Sequence, residues 1–395
     1  TKNPFLEPYN TPHHTPPFHL IKVEHYEPAI REGMKEQNEE IDAIVNNAEK
    51  PNFQNTIVAL ERSGSLLERV TTIFGETNDE MQELAEKMMP LLAEHNNSIS
   101  LNEKLFARIK AVYDRKDQLT LNGEDSMLLQ KTYDGFIRSG ANLQGEAKEK
   151  YRRLNTELSV LALRFSQNLL KETNNYELSL TTSQLEGLPE SMLESYAQTA
   201  KEKGKEGNII TLDAPSFVPF MKYCKDRTLR QQLYMAYNTQ CTHDNEYNNM
   251  DIIKQLVNIR MELVQLLGYS NYAEYVLKKR MAETEESVYQ LLNQLLEAYS
   301  PTAHQEVKEV EELAHRLEGN DFQLMPWDWA YYSEKLKNEK FKLNEEELRP
   351  YFELSQVKQG VFGLATRLYG ITFKENKEIP VYHPDVDAYE GFDED

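Results

Sequence analysis

The sequence contains 395 residues, of which 39% are hydrophobic and 28% are charged, as in a soluble globular protein with more than one domain. Lys and Arg number 44 and Asp and Glu number 65, so the formal net charge is −21. An acidic surface repels phosphate groups, which argues against nucleic acid and against anionic membranes as partners. The sequence has no apolar run of about 18 residues, and its first residues lack the apolar core that we would expect of a signal peptide. Both cytoplasm and periplasm remain open as its compartment.

Helical periodicity dominates the sequence after an arm rich in Pro and His at residues 1–20, for which we expect an extended course. The clearest pattern is at 146–172, where apolar residues recur every three or four positions and form one stripe. A polar helix is also predicted to end near Lys203. The other predicted helices are 25–47, 55–74, 78–95 with a bend or interruption at Pro90, 102–116, 124–138, 226–239, 246–267, 271–280, 284–318, 327–338 and 345–369.

The hydrophobic period changes to two in short stretches. Residues 176–180 alternate apolar and polar side chains and predict a half-buried strand, and residues 208–212 predict a second short strand. The region 173–215 is therefore a plausible domain junction. Residues 379–386 predict a strand or an extended segment. Together these patterns predict a mainly α fold with a few short strands.

The compact motifs of several enzyme classes are absent from the sequence. The zinc motif H-E-x-x-H needs two His four positions apart, and G-x-S-x-G, the P-loop and G-x-G-x-x-G have equally fixed spacings. None of them occurs, so we expect no catalytic residue and no metal ligand in this chain. The nine His are at positions 13, 14, 19, 25, 95, 243, 304, 315 and 383.

Weaker clusters each allow a functional and a structural interpretation. Cys224, Cys241 and His243 could be soft metal ligands, but the two Cys are predicted near opposite ends of one helix, more than about 20 Å apart, and the metal interpretation is disfavoured. His13, His14 and His19 without a thiol or acidic partner are predicted to line a surface.

Two further segments are also better explained by helix starts. Residues 345–347 are three Glu that could work as acid and base, but Asn344 before them indicates an N-cap. Residues 326–332 contain both Trp of the chain and could form the aromatic wall of a ligand cleft. We favour a helix that begins at Pro326, with aromatic side chains packed in the core.

Several sequence segments, taken in their order along the chain, resemble those of a known family. Pro326-Trp327-Asp328-Trp329-Ala330-Tyr331-Tyr332 resembles the P-W-D-x-x-Y-Y-x-x-K segment of the thimet oligopeptidase and peptidyl-dipeptidase family of zinc metallopeptidases. The opening residues 3–6, 16–18 and 55–61 are most similar to the bacterial peptidyl-dipeptidase branch. Other segments similar to the family are 165–168, 262–273, 279–282, 348–352, 361–365, 368–371 and 381–386.

The resemblance implies a helical, two-lobed scaffold around a deep narrow channel. It implies an enzyme that uses zinc to release C-terminal dipeptides from short unstructured peptides. The family places its H-E-x-x-H helix C-terminal to the H-P-D-V segment, so the present chain resembles an N-terminal portion that is truncated before the zinc site. Zinc is therefore expected in the full-length protein and not in this chain. Residues 1–150 would form a helical lobe, and residues 151–395 would bridge to the catalytic lobe and begin it.

The same resemblance gives two candidates for the substrate cleft, His383 and Asp385, within the H-P-D-V segment. A turn made by His383, Pro384 and Asp385 is an equally acceptable interpretation. Two places depart from the family pattern: residues 236–240 lack an Arg often found there, and residues 74–79 form a shorter run. The rival hypothesis is a non-catalytic helical protein-binding module, complete at this length.

Overall fold

The computed structural model describes residues 2–75 and 78–395. Helices make up most of it, which confirms the predicted mainly α fold class. Among the described residues, no helix has the length and the apolar character that crossing a membrane would need. The α-helices are Tyr26–Val45, Ala59–Arg62, Ser65–Thr71, Asp79–Ser100, Glu103–Tyr113, Gly123–Arg138, Gly145–Asn175, Glu190–Glu202, Ala214–Tyr223, Arg227–Asn238, Met250–Leu266, Tyr272–Leu277, Glu285–Glu318, Trp329–Phe341, Glu345–Leu348 and Leu354–Tyr369.

Two small antiparallel sheets accompany the helices. Leu178–Leu180 pairs with Asn208–Ile210, which confirms both strands predicted on either side of residue 200. Thr372–Glu375 pairs with Tyr389–Phe392 near the end of the chain. Burial alternates along Leu178–Leu180 and places Leu178 and Leu180 in the core, as the period of two predicts, whereas Asn208–Ile210 is buried throughout.

The contacts divide the chain into two compact units. The first comprises the chain up to Arg164 together with Leu256–Tyr272 and Lys358–Asp395, and the second comprises Phe165–Gln255 and Ala273–Val357. Each unit is thus assembled from separate stretches of sequence. The division at residue 150 that we predicted refers to the lobes of a whole enzyme, and it stays a prediction.

The N-terminal arm belongs to the core of the first unit. Its Phe5 is fully buried and packs edge-on against Tyr26 with ring centroids 5.0 Å apart. Arg69 donates a hydrogen bond to the Phe5 carbonyl, and its guanidinium lies 4.3 Å from the centre of the Tyr9 ring. The arm contains two short 3-10 turns where we expected an extended course, and its aromatic residues Phe5 and Tyr9 are buried.

A second core lies in the second unit. It joins the first sheet to the helices around it, with Tyr196, Phe220 and Leu233 at most 1% exposed. Gly187 adopts φ +98° where the chain passes the end of helix Ala214–Tyr223. A Cβ atom on Gly187 would lie 2.3 Å from the Tyr223 carbonyl oxygen, so a glycine is required there.

Several predicted elements differ from the structure, and Pro or Gly accounts for most differences. The helix predicted at 55–74 is interrupted by Gly64 at φ +75°, and the one predicted at 345–369 is interrupted by a 3-10 turn that contains Pro350. Helix Asp79–Ser100 runs through Pro90 without interruption. The short run that we noted at 74–79 includes Glu76 and Thr77, which lie outside the described residues.

Candidate functional site

The predicted cleft residues His383 and Asp385 lie in a turn, and the strand predicted at 379–386 is wrong. Pro380 and Pro384 have no N–H to donate to a sheet, and the chain bends between the two strands of the second sheet. The Asp385 N–H donates to Nδ1 of His383 at 3.1 Å, and the Val386 N–H donates to the His383 carbonyl at 3.0 Å. The turn interpretation of this segment is confirmed.

The turn presents both side chains to solvent. The His383 side chain is 59% exposed and the Asp385 side chain is 92% exposed, with 3.6 Å between Nδ1 and Oδ2. Nearby, Tyr382 packs edge-on against Phe18 with centroids 5.8 Å apart, which anchors the turn to the N-terminal arm. Such an anchored, accessible His–Asp pair could contact a ligand, and the cleft role of these two residues stays a prediction.

The segment Pro326–Asp328 begins a helix, as the favoured interpretation predicts. Pro326 occupies the first turn of a 3-10 helix that leads into helix Trp329–Phe341. Trp327 packs against the core of the second unit, and Tyr331 and Tyr332 are buried, whereas Trp329 is 40% exposed. The aromatic side chains of this segment therefore serve mainly as core.

Asp328, for which the sequence predicts no role of its own, is the centre of a buried ionic cluster. Its side chain is fully buried and accepts hydrogen bonds from Arg230 Nη2 at 2.9 Å, from Arg227 Nη2 at 2.8 Å and from the Met325 N–H at 2.9 Å. Burial alone would raise the pKa of Asp328, but the bonds from Arg227, the Met325 amide and Arg230 outweigh it, so this pKa lies below its usual value.

Arg230 completes the cluster on its other side. This side chain is 1% exposed, and its guanidinium donates to the carbonyls of Cys224 at 2.7 Å, Lys225 at 3.1 Å and Trp327 at 3.2 Å. The guanidinium also lies 4.1 Å from the centre of the Tyr331 ring. Because all three guanidinium nitrogens are hydrogen-bonded and solvent has no access, the Asp328–Arg230 pair fixes the start of one helix to another and is not available for chemistry.

An open pocket of about 440 Å³ lies beside this cluster in the second unit. Two of its lysines are paired: Lys222 contacts Glu345 at 3.1 Å, and Lys225 contacts Glu186 at 3.2 Å. The phenol of Tyr223 donates a hydrogen bond to Glu334 at 3.3 Å. Burial raises the pKa of Tyr223 most, and the Glu334 carboxylate raises it further. A phenol held protonated in this way is not a general base, and the pocket is suited to polar binding at most.

The three consecutive Glu at 345–347 form the first turn of a helix that Asn344 caps, as predicted. The Asn344 side chain accepts a hydrogen bond from the Glu346 N–H at 3.0 Å. The carboxylate of Glu345 lies between Lys337 and Lys222, whose hydrogen bonds lower its pKa. These Glu are therefore first-turn residues that match the helix dipole rather than an acid–base pair.

The possible soft-ligand cluster is not assembled as a metal site. Cys224 is fully buried and Cys241 nearly so, and they flank helix Arg227–Asn238. Burial raises the pKa of Cys224 to about 11, and burial together with the Glu172 carboxylate raises the pKa of Cys241 to about 11. Both thiols therefore carry their protons at neutral pH in the metal-free protein.

Two His of the N-terminal arm are engaged with protein groups. Nε2 of His13 lies 2.7 Å from the Glu390 carboxylate, and Nδ1 of His14 lies 3.0 Å from the Tyr9 carbonyl oxygen. Within residues 2–75 and 78–395, no three His, Cys, Asp or Glu side chains come together as metal ligands would. The described residues of this chain therefore do not fit a zinc site.

Comparison with known sequences links these features to a peptidase family. Residues 220–395 match Peptidase family M3. The segment that contains Asp328 and the His383 turn lies inside the matched region.

Curated relatives match over nearly the whole chain. The chain is 39% identical to dipeptidyl carboxypeptidase of Escherichia coli strain K12, an alignment that covers 100% of the chain and 59% of the relative. It is 37% identical to dipeptidyl carboxypeptidase of Salmonella typhimurium, with the same coverage. It is 32% identical to oligopeptidase A of Escherichia coli, with 99% and 58% covered. The chain therefore spans about 59% of the length of the dipeptidyl carboxypeptidases that it matches.

Proposed function

We propose that this chain is part of a zinc-dependent peptidyl-dipeptidase. Residues 220–395 belong to Peptidase family M3, and the whole chain is homologous to dipeptidyl carboxypeptidase and oligopeptidase A. The whole enzyme would release dipeptides from the free C-termini of short unstructured peptides. One observation carries the proposal: 39% identity to a dipeptidyl carboxypeptidase along the entire chain, against 32% to an oligopeptidase A.

The role proposed for this chain is scaffold and channel wall. Its sequence has no H-E-x-x-H, and its most deeply buried charges, Asp328 and Arg230, are paired with each other. The zinc ligands and the catalytic base would then come from the part of the protein that the relatives have beyond this match. The chain would act by holding helices around a path too narrow for folded proteins.

His383 and Asp385 are the proposed contacts of this chain with substrate. Their exposure and the anchoring of Tyr382 on Phe18 support a fixed, accessible position. Neither side chain is desolvated, so each would add binding or orientation and would not perform the chemical step.

The test uses the full-length protein and two peptides that differ only at the C-terminus. Mass spectrometry should show successive loss of C-terminal dipeptides from the peptide with a free carboxylate, and little cleavage of its C-terminal amide. A zinc chelator should abolish the loss, and added zinc should restore it. Trimming from the N-terminus, or unchanged activity after zinc is stripped, would contradict the proposal.

A second measurement addresses the chain of 395 residues alone. Purified in that form, it should contain no stoichiometric zinc and should not hydrolyse a quenched fluorescent peptide. Chelator-sensitive hydrolysis that copurifies with it would mean that catalytic residues are present here after all. An open reading frame that stops directly after Asp395 would favour the binding-module hypothesis instead.

A further inference from the structure

Helix Leu354–Tyr369 has a continuous apolar stripe that the described residues of this chain leave open. The stripe consists of Leu354, Val357, Val361, Leu364 and Leu368, which are between 39% and 80% exposed. None of the residues described in this helix is buried. An apolar face of this size on a folded protein marks an interface.

A different face of helix Leu354–Tyr369 packs against the second sheet, and the apolar stripe is not part of that contact. On this adjoining face, Phe362 stacks on Phe373 with ring centroids 4.3 Å apart and meets Tyr389 edge-on at 5.0 Å. On the same face, Lys358 binds Asp387 at 2.9 Å. The helix is thus attached to the second sheet by one side, while the stripe points elsewhere.

The spacing of the stripe identifies what kind of element would cover it. Its residues follow one another at intervals of three, four, three and four, the heptad spacing of helices that pack side by side at a small angle. Five such positions span roughly 20 Å of helix at 1.5 Å per residue. The matching surface is another helix with apolar residues at the same spacing.

The distribution of burial identifies where that helix comes from. In the described part of the chain, no residue after Glu334 is buried and none between Val264 and Val310 is, whereas the remaining residues of 2–334 form cores of their own. The chain also spans only 59% of the length of its dipeptidyl carboxypeptidase relatives. A second copy is disfavoured because each copy carries a formal charge of −21 and the two would repel.

We propose that the stripe on helix Leu354–Tyr369 is the docking surface for an amphipathic helix from the part of the protein beyond the present match. The apolar residues of that helix interdigitate with Val361 and Leu364 at the centre of the stripe. The inference rests on the proposed function only in taking the protein to continue as its relatives do. It concerns folding of the whole protein and not the reaction.

The test compares two variants of the full-length protein by hydrogen–deuterium exchange. Leu364→Lys places a charge in the stripe, and Gln359→Lys places the same charge on a different, exposed face of the same helix. Lys, Leu and Gln have similar helix propensities, so burial is the main difference between the two changes. Leu364→Ala serves as the milder variant if Leu364→Lys does not fold.

We expect Leu364→Lys or Leu364→Ala to accelerate exchange across residues 354–369 about tenfold or more, with Gln359→Lys close to the parent protein. A second segment, outside this chain and with apolar residues every three or four positions, should accelerate together with it. Equal effects of the Leu364 and Gln359 variants would overturn the proposal. So would a coupled segment within residues 2–334, or a dimer that Leu364→Lys dissociates. Exchange is read without activity, so a peptidase that fails the dipeptide assay leaves this test intact.

Discussion

Replacing Asp328 by Asn removes the negative charge at the centre of the buried cluster while it retains the size of the side chain. Arg230 then keeps its charge at 1% exposure, with no carboxylate to balance it. Loss of one partner of a buried ion pair costs about 3–5 kcal/mol. Arg230 retains three carbonyl acceptors and the introduced amide retains one oxygen, so we expect the lower end, about 3 kcal/mol of unfolding free energy.

The chain provides its own probe and control for this experiment. Its only two Trp, at positions 327 and 329, flank Asp328, so Trp fluorescence during urea unfolding reports on this cluster. Arg227→Gln is the matched control, because the Arg227 side chain is 41% exposed although it binds the same carboxylate. Screened by solvent, that pair should contribute only about 1 kcal/mol. Equal costs for the two variants, or a cost below about 1 kcal/mol for Asp328→Asn, would refute the reasoning.

The difference between parent and Asp328→Asn should depend on pH in one direction. The folded-state pKa of Asp328 lies below the unfolded value of about 3.9, so ionised Asp328 stabilises the folded state above that pH. The stabilisation is lost as the pH falls from about 4 towards the lower folded-state pKa. Urea midpoints of the two proteins should therefore converge in acid and stay apart between about pH 5 and 8.

Three further outcomes follow from local geometry. Gly187→Ala should lower the unfolding free energy, measured by urea titration, by about 2 kcal/mol or more, because a Cβ at φ +98° meets a backbone carbonyl. Gly204→Ala is the control: its φ is +69° but its Cβ would lie in open space, so it should cost only about 1 kcal/mol. Cys224 and Cys241 have pKa values raised to about 11, so at about pH 8 a thiol reagent should label neither in the native protein and both in urea. His383→Ala should reduce peptidase activity of the full-length protein far less than loss of the Glu of its zinc motif. Equal glycine variants, rapid native labelling, or a His383 effect as large as the Glu effect would contradict the respective prediction.

Hydrophobic periodicity in the sequence predicts the elements that are continuous and amphipathic. Helix Gly145–Asn175 was predicted within three residues at each end, because one apolar stripe persists through most of its length. The strands Leu178–Leu180 and Asn208–Ile210 were found from a change in period alone. Helix Ala214–Tyr223 was missed, since Pro215 and Pro219 within it are residues that normally argue against a helix.

The buried ionic cluster around Asp328 cannot be predicted from the sequence, for a different reason. Asp328 and Arg230 are 98 positions apart, and nothing in their neighbouring residues announces the pairing. An acidic residue between two Trp was the only local signal, and it is equally compatible with a helix cap. For the cleft candidates, Pro384 and Asp385 indicate the turn locally, whereas a contact of His383 and Asp385 with substrate stays a prediction.

The long sequence separation within the Asp328 cluster has a kinetic consequence. A contact that closes loops of 98 and 101 residues carries a large entropic cost until most of the fold is in place, so it forms late in folding. Interactions absent from the transition state slow unfolding and leave the folding rate unchanged. The cluster should therefore slow unfolding. In Asp328→Asn, the unfolding rate should rise about 100-fold while the refolding rate stays almost constant. A slow unfolding rate limits how often the chain is exposed to proteolytic cleavage.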